Sequence, residues 1–270
     1  MPLISFTSSK GGTGRTTAAW LLCNELIRRG HKVLYLPVGG TPDIYDILAD
    51  NNIGRANEPQ ALRRMFRGVE LVFARIDFTS YSGCVETLAP WLREVRRVGG
   101  FLIIDGFLGE LDDFTDIQLL SDLTLLCLGP SRLDAIYAKR FKQEIEDHDF
   151  GGAFSILRAR YLLSNTRGAL LPNGQEYLGL PARDFMETVI QNEPILGEIV
   201  GRAESADGNF KLPDMARVKA TAGTLTDHIL ALIDGVDNVA FAGRHRMFGG
   251  IEQALSADEK KSFAKMAVPS

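Results

Sequence analysis

SSKGGTGRTT, residues Ser8 to Thr17, is the stretch whose reading decides the fold. It follows the apolar run LISFT at 3–7. It precedes a segment, 16–29, whose apolar Ala19, Leu22, Cys23 and Leu26 fall at helical spacing and whose end is marked by Arg28, Arg29 and Gly30. Glycines at 11, 12 and 14 between a buried strand and a helix start let backbone N–H groups converge on an anion. The helix dipole adds to that attraction, and the Thr16 hydroxyl is placed to reach a magnesium ion. Arg15 stands where a phosphate-binding turn ordinarily carries lysine.

Outward from this turn, apolar runs too short for helices alternate with longer segments of helical period. Strands are expected at 3–7, 33–36, 69–75, 101–104, 123–128 and 155–163. Helices are expected at 16–29, at 85–98 with a break or late start at Pro90, at 132–147 capped by Ser131, and at 214–233. The alternation predicts an α/β fold, a doubly wound, mostly parallel sheet flanked by helices, whose ligands sit at the C-terminal ends of the strands. The glycine turn lies on that edge. At residue 236 the composition shifts to Gly, Arg, His and small residues, which divides the chain into a nucleotide-binding domain at 1–235 and an extension at 236–270, a short helix or flexible tail.

The bulk composition, 45% hydrophobic and 24% charged over 270 residues, is that of a globular chain with a sizeable core. A net charge of −4 argues against a protein that coats nucleic acid through overall basicity, so any DNA contact must be local. The three cysteines, Cys23, Cys84 and Cys127, form neither a CxxC pair nor a Cys/His cluster, and read as reduced core thiols. The four histidines show no metal spacing and read as surface residues. No apolar stretch approaches a membrane span and the start lacks the zones of a secretory signal, so a cytoplasmic location is expected.

The full string KGGTGRTT, placed after a strand and opening an amphipathic helix, resembles the deviant Walker A loop KGGxGK[ST][ST] of ParA/MinD-type ATPases, P-loop NTPases of the SIMIBI class. FLIIDG at 101–106 resembles that family's Walker B strand, SDLTLLCLGPSRLD at 121–134 its next strand and turn, and YLLSNTR at 161–167 its adenine-facing segment. The resemblance runs in order over residues 3 to 235 and is sharp at 8–17. It implies ATP or ADP bound by Gly11, Gly12, Thr13, Gly14, Arg15, Thr16 and Thr17, with Asn165 toward the adenine and Mg²⁺ held by Thr16 and Asp105. It also implies a nucleotide-sandwich homodimer in which Lys10 reaches the partner's phosphates, so that Lys10 and Asp105 are the expected catalytic residues.

Two departures fall on the catalytic side. Arg15 keeps the charge of the family's loop lysine but not its compact shape. After the second strand the family reads VLLIDxDPQG, whereas this chain reads VLYLPVGG, with Pro37 and Gly39 in place of two acids. Removing a group that orients the attacking water costs orders of magnitude in rate, so slow ATP hydrolysis at best is expected. Asp43 and Asp46 read as solvated or capping residues. Glu110, Asp112 and Asp113 read as a solvated loop that could supply a replacement metal or water ligand.

What the resemblance implies is an ATP-binding switch that dimerises on nucleotide and, with an adaptor protein, partitions or positions a cargo such as a plasmid, a conjugative complex or a polar machine. LPARDFMETVIQNEPILGEI at 180–199 resembles plasmid-partition and DNA-transfer members. The alternative is a degenerate, non-hydrolysing scaffold acting through protein–protein contacts. Arg202, Lys211, Arg217 and Lys219 lie where ParA proteins touch DNA backbone, and suit non-specific DNA and a solvated helix face equally. In the tail, Glu252, Asp258 and Glu259 dilute the basic amphipathic pattern of a membrane anchor, so membrane binding is not expected.

Overall fold

A computed structural model of the chain describes residues 2–8, 11–38, 62–66, 69–73, 88, 90–91, 93–95, 97–107, 121–129, 131–147, 159–163, 176–177, 180–181, 185–188, 190 and 216–234. The chain order is β1 (Leu3–Ser8), α1 (Arg15–Arg28), β2 (Val33–Val38), β3 (Leu62–Phe66), β4 (Val69–Phe73), β5 (Phe101–Phe107), β6 (Leu123–Leu128), α2 (Arg132–Asp147), β7 (Ala159–Leu163), β8 (Glu176–Tyr177), β9 (Leu180–Pro181) and α3 (Ala216–Asp234). Seven strands form one sheet in the order β3-β4-β2-β5-β1-β6-β7. Every neighbouring pair from β4 to β7 is parallel, and β3 closes the edge antiparallel to β4. The expected mostly parallel, doubly wound sheet is therefore present, and β8 pairs with β9 in a separate ribbon.

Continuous apolar composition puts the central strands inside. All six residues of β1 and all six of β6 are buried, as sheets covered on both faces require. Alternation sends Ile4 and Phe6, Val33 and Tyr35, Phe101 and Ile103, and Leu123, Leu125 and Cys127 into one cluster with α1 and α3. Leu21, Leu22 and Leu26 of α1 are fully buried there, each contributing roughly 1.5–3 kcal/mol of transfer free energy. From α3, Val218, Ala222, Leu225 and Ile229 complete the layer at spacings of three and four.

The ends of α1 follow from its sequence. Gly30, at φ 87°, takes the left-handed conformation that closes the helix. Its N–H donates to the Ile27 carbonyl at 2.9 Å, and that of His31 to the Leu26 carbonyl at 3.0 Å. Arg29 then crosses to α3, donating to Asp227 at 2.6 Å and to the Gly223 carbonyl at 3.3 Å. At the N-terminal edge of the sheet, Leu3 N–H donates to the Asp122 carboxylate at 2.6 Å and Asp122 N–H returns a bond to the Leu3 carbonyl at 2.7 Å. This pair fixes the β1–β6 register that carries the glycine turn to the opposite edge.

Several expectations are refined. β2 and β5 run on to Val38 and Phe107, so Asp105 is two residues inside its strand rather than at its end. Leu88, Pro90 and Trp91 are helical, and residues 85–87, where the start was expected, lie outside the described residues. β3, LRRMF, was not expected, because Arg63 and Arg64 interrupt the apolar alternation that marks a strand. An edge position tolerates those charges. The Ser131 cap holds, its Oγ accepting from Asp134 N–H at 3.2 Å. Cys23 and Cys127 are free and buried as expected, while Cys84 lies outside the described residues.

His31 and His228 are half-buried rather than surface residues. His31 packs edge-on against Phe101 with ring centroids 5.1 Å apart, and His228 bonds Thr188 through Nδ1 at 2.8 Å. His148, His245, Asp43, Asp46, Glu110, Asp112, Asp113 and the whole 236–270 extension lie outside the described residues. Among the described residues no helix is long and apolar enough to cross a membrane.

Candidate nucleotide site

The turn leaving β1 is built on left-handed glycine. Gly12 and Gly14 have φ of 75° and 76°, a conformation that costs other residues about 1–2 kcal/mol. Gly14 is also the N-cap of α1, where it offers no side-chain acceptor, and the first turn of α1 holds no acid. Protein groups in α1 thus leave the positive end of its dipole uncompensated, the arrangement that favours a bound anion. A Cβ built at Gly11 or Gly12 would meet nothing within 4 Å, so both glycines face open space.

Arg15, the first residue of α1, does not point into that space. Its side chain is only 8% exposed and turns under the loop toward the sheet. There Nε donates to Oδ1 of Asp105, and Nη1 donates to Ser8 Oγ at 3.4 Å. The other oxygen of Asp105, Oδ2, accepts from the Tyr35 hydroxyl at 2.5 Å. Asp105 itself has no exposed surface. Three elements, α1, β5 and β2, are tied together through one carboxylate.

The packing around this network is dry. Trp20 lies on Tyr35 with centroids 5.4 Å apart, and the Cys23 and Cys127 thiols are buried in the same layer. Burial, then the Asp105 charge and hydrogen bond, pushes the Tyr35 phenol well above its usual range. Burial first and the Asp105 charge second likewise push the Cys23 thiol up. The Cys127 thiol is raised by burial against an opposing pull from Arg15. All three groups are held neutral beside the ion pair. Removing one partner of a buried pair typically costs about 3–5 kcal/mol, because the other is stranded without water.

Sequence reading identified Arg15 and Asp105 but had the first facing phosphate and the second facing metal. The fold brings the two to each other. It missed Tyr35, whose signal was its place in VLYLPV: a buried tyrosine hydroxyl needs an acceptor, and Asp105 is the acceptor on the neighbouring strand. Thr13 is buried, Thr16 and Thr17 are partly exposed at the mouth of the turn, and Lys10 and Asn165 lie outside the described residues. Of the proposed DNA-contacting residues Lys219 is exposed on α3, Arg217 lies on the same helix, and Arg202 and Lys211 are outside the described residues.

Of the two residues that the resemblance gives to magnesium, Thr16 is partly exposed at the mouth of the turn, whereas Asp105 is buried beneath it. The register sets Pro37 of β2 and Phe6 of β1 on either side of Asp105, and neither has a side-chain oxygen. Both Asp105 oxygens already accept from protein donors, and no group of three or more metal-ligating side chains occurs among the described residues. Magnesium requires a near-octahedral set of oxygens, commonly anchored on one or two carboxylates. This carboxylate, with both oxygens bonded and no exposed surface, does not fit the metal.

No protein-family model and no curated protein matches the chain in sequence. Solved structures do resemble it. One is the MinC:MinD cell division protein complex of Aquifex aeolicus, 17% identical, TM-score 0.60, covering 86% of this chain and 96% of that one. A second is a plasmid partition protein from Borrelia burgdorferi bound to AMPPNP, 15% identical, TM-score 0.54, with coverages of 86% and 99%. A third is the septum site-determining protein MinD of Pyrococcus horikoshii complexed with Mg-ADP, 20% identical, TM-score 0.51, covering 87% and 99%. With this strand order, and with the glycine turn at the C-terminal end of β1, the chain has the fold of the MinD/ParA-type P-loop NTPases.

Proposed function

We propose that the protein is a ParA-like nucleotide-binding switch that holds ATP or ADP on the turn at residues 10–17, dimerises around it and positions a DNA or protein cargo. The observation that supports this best is the open, left-handed glycine turn at an N-terminus of α1 that has no side-chain cap and no acid in its first turn. Lys10 is the proposed contact to the partner's phosphates, Asn165 the adenine contact, and Lys219 with its basic neighbours the proposed DNA-backbone contact.

Hydrolysis on this site is slow. Pro37, in register with Asp105, supplies no oxygen to orient a water, and hydrolysis by such sites is chiefly positioning and electrostatics. The same register favours a second reading, a non-hydrolysing scaffold that stays loaded and works through protein contacts. Titration of fluorescent ATP and ADP analogues, followed by phosphate release with and without DNA, separates the two. Steady turnover stimulated by DNA supports the switch, and tight binding without turnover supports the scaffold. Absence of binding at millimolar nucleotide overturns the switch and the loaded scaffold, and leaves a scaffold with an empty site. Under either reading that includes a sandwich dimer, Lys10→Ala abolishes nucleotide-dependent dimerisation, read as elution volume.

A further inference from the structure

We propose that this turn binds the phosphate chain without a divalent cation, and that Asp105 is a positioning residue for Arg15 rather than a ligand to metal. The inference rests on the nucleotide reading above and concerns the same site. It comes from three observations.

The first is that both oxygens of the carboxylate are engaged within the protein. Oδ1 accepts from the Arg15 guanidinium and Oδ2 from the Tyr35 phenol, and the residue has no exposed surface through which a hydrated ion could replace either donor. The second is the company Asp105 keeps. Its neighbours in the sheet are Phe6 and Pro37, so the strand ends that would share a metal offer no second side-chain oxygen at that level. The third is the choice of arginine. A guanidinium presents a fork that bonds Asp105 through Nε while Nη1 turns to Ser8, which a lysine ammonium on a single flexible stem does not reproduce. The guanidinium at the base of the turn is therefore held in one place by the protein. Its position is set from β5 by Asp105, and the position of Asp105 is set from β2 by Tyr35.

A metal-dependent site and this one respond differently to chelation. In the full-length protein, the Kd of a fluorescent ADP analogue is measured by anisotropy in excess magnesium and in excess EDTA. The expected result is a change of less than about threefold, against the roughly 5–150-fold coupling usual when two ligands bind as a unit. Tightening of tenfold or more by magnesium overturns the proposal and leaves the nucleotide reading intact. Absence of binding in both buffers overturns the nucleotide reading itself, and this inference with it. Electron paramagnetic resonance of Mn²⁺ added to the ADP-loaded native protein gives a second reading that needs no variant: no protein-bound manganese is expected, and one bound ion per chain refutes the proposal.

Asp105→Asn then separates positioning from ligation. As a positioning residue its loss weakens ADP equally with magnesium and with EDTA, because the guanidinium is released in both. As a metal ligand its loss acts in magnesium alone. Tyr35→Phe, which removes the bond to Oδ2 but not the acid, is expected to weaken ADP by less than Asp105→Asn and again equally in both buffers. Any cation-selective effect of either substitution contradicts the assignment.

Discussion

Arg15 and Asp105 stand 90 positions apart in sequence and form one buried ion pair beneath the glycine turn, with side-chain exposures of 8% and 0%. The two residues that a phosphate-binding strand–turn–helix would direct at its ligand are here directed at each other. The turn keeps its shape, while the acid beneath it serves the protein's own cation.

Arg15→Met leaves Asp105 charged and dry. Stability falls by about 3–5 kcal/mol, read as a lower urea midpoint at unchanged slope. The triple variant Arg15→Met with Asp105→Leu and Tyr35→Phe recovers most of that loss, because an apolar cluster replaces the buried ion pair and no phenol is left without an acceptor. Additive losses in that variant would show that the residues do not share an interaction.

The raised Tyr35 phenol makes a prediction on the alkaline side. A group whose pKa is higher in the folded state stabilises the fold below its unfolded value, about 10 for tyrosine, and that contribution disappears as pH rises toward the folded value. Tyr35→Phe removes the group, so its stability declines less steeply above that pH than the parent's. Absorbance titration of the native protein should show at least one tyrosine resisting ionisation until the fold opens.

Glu25 acts on the acid side. Its carboxyl is held below its usual range first by the hydrogen bond from Arg28, against an opposing burial effect, and further by Arg29. A lowered carboxylate contributes stability above its unfolded pKa of about 4.3, and loses it as pH falls through the folded value. Glu25→Gln is less stable than the parent at neutral pH, and the two converge in acid. Parallel stability curves down to low pH would contradict the role.

Gly12→Ala tests backbone conformation alone, since nothing within 4 Å opposes the added carbon. Its φ of 75° costs an L-residue about 1–2 kcal/mol, so the variant folds with a slightly lower midpoint and binds nucleotide more weakly. Unchanged affinity would mean that the turn does not carry the ligand.

Gly100→Ala is the corresponding test of close approach. A Cβ there would lie 2.6 Å from the Lys32 carbonyl oxygen, which also accepts from Phe101 N–H at 2.9 Å. The β2–β5 entry must shift, at a cost of about 1–3 kcal/mol in thermal or chemical denaturation. Because the position lies at the opposite end of β5 from Asp105, nucleotide affinity should be retained.

Sequence alone determined what is local. The period of the apolar residues gave the central strands and the long helices, with the limits of β6 and α2 read to the residue, because those segments are continuous and strongly patterned. Glycine spacing marked the turn, since only glycine takes the left-handed backbone without penalty, and Gly30 marked the end of α1 for the same reason. Neither the edge strand β3 nor the direction of Arg15 was legible. A short strand with two arginines carries no period, and a side chain at the mouth of a turn chooses between solvent, ligand and core by what the distant strands place beneath it. Register decided that choice. By setting Asp105 between Phe6 and Pro37 and within reach of Tyr35, the sheet made a buried acid that required a buried cation, and the first residue of α1 was the one that reached it.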